Sequence, residues 1–211
     1  MKLNLTNLTM LTYFLKSISY FLHPLLMTWI AAVYFFSATP VQYPPTKVVY
    51  WLLSIVIWSL LFPLLLYVVL KKLNAVRSIH LKTVKERFWP LLLNSIIMSY
   101  LGFFVLPKAE CVELHYFILG SILTIVLGLT LSIIKIKASI HMMAVSGAFL
   151  FMILTNLHFG VSIDNVVIVF VLVMGAMASS RLHLNAHSVK ELAIGLIIGV
   201  LPQILLLNQW L

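Results

Sequence analysis

Charged residues are scarce in this chain, and acidic residues are the scarcest of them. Only 9% of the 211 residues are charged, with 14 Lys and Arg against 5 Asp and Glu. Soluble domains carry about a quarter charged residues, so this composition excludes an ordinary soluble domain. The single cysteine, Cys111, excludes a disulfide within the chain. The sequence also lacks an internal repeat, a glycine-rich nucleotide-binding loop and the pattern of a removable signal peptide.

Apolar residues, by contrast, make up 63% of the chain, and the mean hydropathy is +1.11. Runs of about 20 apolar residues recur, which is the length of a helix that crosses a bilayer. The sequence therefore predicts an all-α polytopic transmembrane bundle, one integral membrane domain over residues 1–211. Residues 1–18 form a mildly amphipathic lead, either an interfacial helix or an extension of the first span. The seven predicted spans are 19–36, 48–70, 88–106, 114–134, 140–159, 163–178 and 192–211.

The basic residues are distributed unevenly between the two sides that seven spans define. The N-terminus and the loops at 71–87, 135–139 and 181–190 share one side, which holds 12 of the 14 basic residues. By the positive-inside rule this side is cytoplasmic, and we expect a bacterial inner (plasma) membrane. The net charge of +9 then reflects topology and an anion site, and nucleic acid is not an expected partner.

The densest polar segment of the C-terminal half runs from residue 179 to residue 191. On a helix, His187 and Glu191 would be i, i+4 neighbours, so their side chains could meet. A carboxylate on one imidazole nitrogen fixes the tautomer and leaves the other nitrogen free to attack a substrate or bind a metal. Arg181 offers a planar fork for phosphate. The alternative interpretation is a basic connecting loop in which Ser188 caps the next helix.

A second polar segment, at 135–141, ends with His141 at the start of the fifth predicted span. The seven-span topology brings this segment and the segment at 179–191 to the same membrane face. Two His, an Arg and a Glu then lie together, with Lys137 close by. Ionisable residues concentrated at one face of a membrane bundle indicate a functional site.

The spacing of Ser180-Arg181, five residues, His187, three residues and an acid resembles the third signature of the type 2 phosphatidic-acid phosphatase superfamily. The segment from Ala138 to His141, Ala-Ser-Ile-His, resembles that family's second signature, Pro-Ser-Gly-His. The order also agrees, because in the family the second signature opens one helix and the third lies between the next two. The resemblance covers about residues 135–195, within a phosphatase-like part at 135–211.

This resemblance implies a membrane phosphatase that hydrolyses a lipid phosphate or pyrophosphate through a phosphohistidine, with no cofactor. His187 resembles the nucleophile, Glu191 the acid that orients it, and His141 the group that protonates the leaving oxygen. Arg181 and Ser139 resemble residues that hold phosphate oxygens. The chemistry is coherent, because a neutral imidazole oriented by a carboxylate is a competent nucleophile and cations stabilise the phosphoryl group. The expected partners are a lipid phosphate substrate and membrane lipids.

The family's first signature, a Lys, six residues and Arg-Pro, is absent. The segment from Lys82 to Trp89-Pro90 has the spacing, but Trp replaces Arg, and the segment precedes the third span instead of the connection before the second signature. We attribute this match to chance. Lys135 and Lys137 are better placed to supply the missing positive charge.

Three further departures affect the second and third signatures, where Ala138 replaces Pro, Ile140 replaces Gly and Glu191 replaces Asp. They favour an alternative function, a catalytically silent phosphatase-like protein that binds phosphate headgroups or acts in assembly. Gly195 and Gly199, four residues apart, allow close helix packing, either between two copies in a homodimer or within one bundle.

A second alternative is a metal-binding membrane protein. His183, His187 and Glu191 would fall at i, i+4 and i+8 on one face of an unbroken helix, and His141 could complete four ligands. Measuring bound metal separates this alternative from the phosphatase, whose chemistry needs no metal.

Overall fold

The computed structural model describes residues 5–76, 83–106 and 108–211, and within these ranges the chain is helical with no strand. The helices in chain order are α1 (Leu5–Phe21), α2 (Pro24–Ala38), α3 (Pro45–Val56), α4 (Phe62–Lys72), α5 (Val84–Tyr100), α6 (Val112–Ile133), α7 (Ile140–His158), α8 (Asp164–His183) and α9 (Val189–Leu205), with a 3-10 turn at Leu207–Gln209.

By length and composition, six helical segments among the described residues can cross a membrane. The helices α1 and α2 pass the same test only as a pair, bent by 62°, so the bundle has up to seven crossings. The protein is therefore an all-α polytopic helical bundle, which confirms the predicted fold class.

The first predicted span, 19–36, is wrong as a single helix, because the chain breaks between Phe21 and Pro24. Proline lacks an N–H and fits the first turn of a helix, so α2 starts there afresh. The ring of His23 caps the new helix by accepting a hydrogen bond from the Leu25 N–H at 3.3 Å. Most of the lead at 1–18 belongs to α1, whose aromatic side chains such as Tyr13 are exposed.

Two other predicted spans are wrong at one end. The third starts at Val84 instead of residue 88, because the Thr83 hydroxyl accepts a hydrogen bond from the Glu86 N–H and caps the helix. The sixth continues past residue 178 to His183. As a result, Arg87 and Arg181 lie in helices and not in connecting loops.

Two spans contain π-helical segments. Ile57–Leu61 joins α3 to α4, and the Phe62 N–H donates to the Ile57 carbonyl five residues back. Pro63 follows directly and has no N–H for the Ser59 carbonyl, which removes one ordinary α-helical bond at this point. The second segment, Leu101–Val105, ends α5.

Helix α7 lies at the centre of the bundle and packs against α2, α6, α8 and α9. It is the most buried of the candidate spans. Its Phe151 stacks on Phe117 of α6, with ring centroids 4.3 Å apart, and also contacts Phe35 of α2. Because α7 touches so many neighbours, residues in its first turn can meet groups from several helices.

Close packing of α7 on α9 depends on glycine. A Cβ added at Gly195 would lie 2.7 Å from the Ser139 carbonyl oxygen, and one at Gly199 would collide with Ser146 and the Met143 backbone. The packing partner of both glycines is thus α7 of the same chain, as the intramolecular alternative predicts. The close approach also lets the Ser139 N–H donate to the Glu191 carbonyl at 3.0 Å, which holds the two polar segments together.

Candidate functional site

The two polar segments meet at one end of the bundle. Helices α6 and α8 both end in Schellman turns, with Lys135 and Asn185 at positive φ. The chain therefore turns back sharply after each of these helices. The Lys137 ammonium donates to the Ala186 carbonyl at 2.8 Å and ties the segments together. The sequence placed these segments at the same face by counting spans, and in the structure they are in direct contact.

His187 and Glu191 form a short polar contact, with 2.6 Å between Nδ1 and Oε2. The predicted reason for the contact is wrong, since His187 precedes α9 and is not in a helix. Ser188 caps α9, and Glu191 reaches back from the third position to the Ser188 N–H, forming a capping box. The contact with the Ser188 N–H also places the Glu191 carboxylate beside the His187 ring. The cap predicted at Ser188 is confirmed.

Glu191 also forms an ion pair with Lys137, with 3.3 Å between Oε2 and Nζ. The His187 side chain is only 4% exposed, and burial lowers its pKa to about 4, helped by the positive charges of Arg87, Lys137 and Arg181 and opposed by the Glu191 hydrogen bond. The imidazole is therefore neutral at pH 7. Its Nε2 bonds to no described residue, so this nitrogen is available to a ligand.

Arg181 lies in the last turn of α8 and is buried. One guanidinium nitrogen donates to the Ser19 hydroxyl of α1 at 3.3 Å, and Nε has no partner. Ser19 is held by Ser180 at 2.8 Å, whose hydroxyl donates to the Leu15 carbonyl. Among the described residues Arg181 pairs with no carboxylate. A buried cation without a counter-ion is costly, and an anionic ligand would offset that cost.

His141 occupies the first turn of α7, where the Ser139 hydroxyl caps the helix through the Met142 N–H. The ring of His23, which precedes α2, contacts the His141 ring edge-on, with ring centroids 5.6 Å apart. The break between α1 and α2 therefore contributes a contact to the site through His23, and sequence reasoning missed it.

Arg87 is a further site residue that sequence reasoning missed, having placed it in the basic loop at 71–87. It lies buried in the first turn of α5, and one guanidinium nitrogen donates to the Ala138 carbonyl at 2.6 Å. The pattern Thr83-Val-Lys-Glu86 matches a capping box and would have predicted a helix containing Arg87. The neighbouring Lys82, considered for the first signature, lies outside the described residues.

One cavity of about 200 Å³ joins these groups, lined at its polar end by His23, Arg87, His141, Arg181 and His187. Two arginines at this end make it cationic. The cavity continues between α2, α4, α5, α6 and α7 down to Gln203 of α9. Twelve residues separate Glu191 from Gln203, a depth of about 18 Å at 1.5 Å per residue.

Three predicted phosphate-binding residues do not line this cavity. Lys135 is exposed, Lys137 is engaged with Ala186 and Glu191, and Ser139 caps α7. Arg87, in contrast, lines the cavity and places a positive charge there, because the helix start at Val84 turns Arg87 inward.

The geometry of the predicted metal site is wrong. Helix α8 ends at His183 and α9 begins at Val189, so no unbroken helix aligns His183, His187 and Glu191. The His183 Nε2 lies 2.9 Å from the Thr12 hydroxyl of α1 instead. Within the described ranges no three His, Cys, Asp or Glu side chains are arranged to hold a metal ion.

The fold and the cavity together define an α-helical integral membrane protein with a buried cationic site at one end of its bundle. Comparison with protein-family models, curated proteins and solved structures finds no match to this chain. The function of the site is therefore inferred from its geometry and from the motif resemblance.

Proposed function

We propose that the cationic end of the cavity binds the phosphate group of a membrane lipid and that His187 hydrolyses the ester. The observation that carries this proposal is the His187–Glu191 pair at 2.6 Å on a cavity shared with Arg181 and His141. The carboxylate fixes the proton on Nδ1 and leaves Nε2 as the nucleophile. Two buried arginines favour a dianionic ligand and stabilise the charge of the transferring group.

In the first step, the Nε2 lone pair of His187 attacks phosphorus, and the bond between phosphorus and the lipid oxygen breaks. His141 donates a proton to that oxygen, which leaves as the lipid alcohol. In the second step, His141 takes a proton from water as the water oxygen attacks phosphorus, the phosphorus–nitrogen bond breaks with its electron pair returning to His187 Nε2, and inorganic phosphate leaves. Glu191 keeps its hydrogen bond to Nδ1 throughout and stabilises the positive charge that develops on the ring.

The alternative is a catalytically silent protein that binds phosphate headgroups on the same fold. One observation favours it: Ile140 lines the cavity where the resembled signature has Gly. Its side chain occupies space beside the N-terminus of α7, where a phosphate would otherwise approach backbone N–H groups. In that case the protein binds phosphate without turnover.

The proposed location is a bacterial inner membrane with the cationic site at the cytoplasmic face. Support comes from the excess of basic residues in the loops that share this end of the bundle, since such loops stay in the cytoplasm. The substrate would then be drawn from the inner leaflet.

The test is phosphate release by purified protein from a panel of lipid phosphates, with and without a chelator. We expect metal-independent release, which His187→Ala abolishes together with any covalent phosphoenzyme. The matched control is His183→Ala, which removes a histidine four residues away that does not line the cavity. Full activity in His187→Ala contradicts the mechanism. Phosphate binding without release by the wild type on every lipid favours the silent alternative.

A further inference from the structure

Unsatisfied buried polar atoms are concentrated on the cavity. In the ranges that the structure describes, four buried side-chain polar atoms have no hydrogen-bond partner: Ser59 Oγ, Asn94 Oδ1, Thr155 Oγ1 and Arg181 Nε. All but Thr155 belong to residues that line the cavity. Arg181 belongs to the cationic end, whereas Ser59 and Asn94 belong to the deeper part, which the proposed chemistry does not use.

Hydroxyls in the neighbouring helices α5 and α6 are satisfied locally. Ser95 donates to the Leu92 carbonyl at 2.7 Å, Ser99 to the Ser95 carbonyl at 2.8 Å, and Ser121 to the Phe117 carbonyl at 3.0 Å. This is the ordinary way in which a hydroxyl is accommodated in a membrane helix. Ser59, in the π-helical segment Ile57–Leu61, makes no such bond. Such segments occur frequently at functional sites.

The two groups lie on adjacent elements, because the π-helical segment packs against both α2 and α5. Asn94 is seven residues beyond Arg87 on α5, which places it about 10 Å further along the helix axis. This depth lies in the hydrocarbon region of a bilayer about 30 Å thick, where no bulk water satisfies polar groups. Polar side chains that face the interior of a membrane bundle mark ligand pathways.

We infer that Ser59 and Asn94 form a second binding subsite, which takes an ester or hydroxyl oxygen of a glycerol-based lipid phosphate. The inference rests on the proposed function, in which the phosphate occupies the cationic end. The glycerol backbone places its oxygens a few bonds beyond the phosphate, on the way to the hydrocarbon chain. The Ser59 hydroxyl can donate to such an oxygen, and the Asn94 amide carries both a donor and an acceptor. Alkyl and isoprenoid phosphates have no polar group there and leave the subsite unsatisfied.

The test compares two phosphates with matched chains, oleoyl lysophosphatidate and oleyl phosphate, presented to the purified full-length protein in the same detergent. We expect the wild type to favour lysophosphatidate in kcat/KM by at least about tenfold, because a site built to bond an oxygen rejects an analogue that lacks it. Asn94→Leu and Ser59→Ala should bring the ratio close to one by slowing lysophosphatidate only. The control is Ser95→Ala, whose hydroxyl is bonded within its own helix and does not line the cavity.

A structural role for Asn94 would give a different result. Replacing an amide whose buried oxygen has no partner by Leu should leave the melting temperature of the ligand-free protein unchanged or raised. A lower melting temperature with an unchanged substrate ratio would overturn the inference.

The inference and the proposed function fail separately. Equal hydrolysis of both phosphates by the wild type overturns the subsite and leaves the phosphatase in place. If neither phosphate is hydrolysed, equilibrium binding of the same two lipids decides. Tighter binding of lysophosphatidate that Asn94→Leu removes supports the subsite in a protein without turnover, and equal binding of the two lipids overturns it.

Discussion

Glu191→Gln separates two roles that one carboxylate combines. Oε2 accepts from His187 at 2.6 Å and caps α9 through the Ser188 N–H. Glutamine suits the same capping position and has nearly the same shape, so α9 should still start at Val189. What is lost is the negative charge, and with it the ion pair to Lys137 at 3.3 Å.

The size of the effect follows from the kind of bond. A hydrogen bond to a charged group contributes about 1.5–3 kcal/mol. If that energy is lost only in the transition state, where the His187 ring becomes positive, kcat should fall by about 10- to 160-fold, since each 1.36 kcal/mol of activation free energy is a factor of ten in rate. The lost ion pair to Lys137 is partly exposed and should contribute less than about 1 kcal/mol to stability. Phosphate affinity should change little, because neither arginine is altered.

The assay is steady-state hydrolysis of a lipid phosphate, with thermal unfolding measured on the same samples. Ser188→Ala is the matched control, because it removes the capping hydroxyl and keeps the carboxylate. It should cost about 1 kcal/mol of stability and leave kcat close to that of the wild type. If Glu191→Gln retains kcat within twofold, the carboxylate does not activate His187 and the proposed mechanism is refuted.

Three further predictions use other parts of the molecule. Gly199→Ala should destabilise the protein by about 1–3 kcal/mol through overpacking against α7. The control is Gly175→Ala, which should not destabilise it, because nothing lies within 4 Å of the added Cβ. Thermal unfolding of the two variants tests the difference. Lys137→Met removes a positive charge that lowers the His187 pKa, so the acid limb of the kcat/KM profile, set by neutral His187, should move to higher pH. A cysteine introduced in the loop at 71–87 should resist an impermeant thiol reagent in intact cells, and labelling would reverse the predicted orientation.

The bundle was largely predictable because membrane spans are set by length and hydropathy. Six of the seven predicted spans correspond to single helical segments, and their errors lie at the ends. Those ends depend on local hydrogen bonds, such as the Thr83 cap that starts α5. The exception is the first predicted span, within which the chain breaks and a second helix starts at Pro24.

The meeting of the two polar segments followed from span parity, but the composition of the cavity did not. Arg87 was assigned to the basic loop at 71–87, and the cap signal that begins at Thr83 was missed. Ser19 reaches the site because α1 packs against α8, and His23 reaches it because α2 packs against α7. These tertiary contacts have no periodic pattern in the sequence. The roles assigned to His187, His141 and Glu191 remain predictions.

The π-helical segment Ile57–Leu61 is the place in this membrane span where related chains would most easily differ in length by one residue. A π turn accommodates one residue more than an α turn, so losing one residue there converts the segment to α-helix and leaves both halves of the span intact. Because a π turn and an α turn complete about the same rotation, the half before the deletion should keep nearly the same orientation relative to the half after it. Natural variants with a single-residue deletion in this membrane span are therefore expected within residues 57–61, and they would keep the same face of α3 against the bundle.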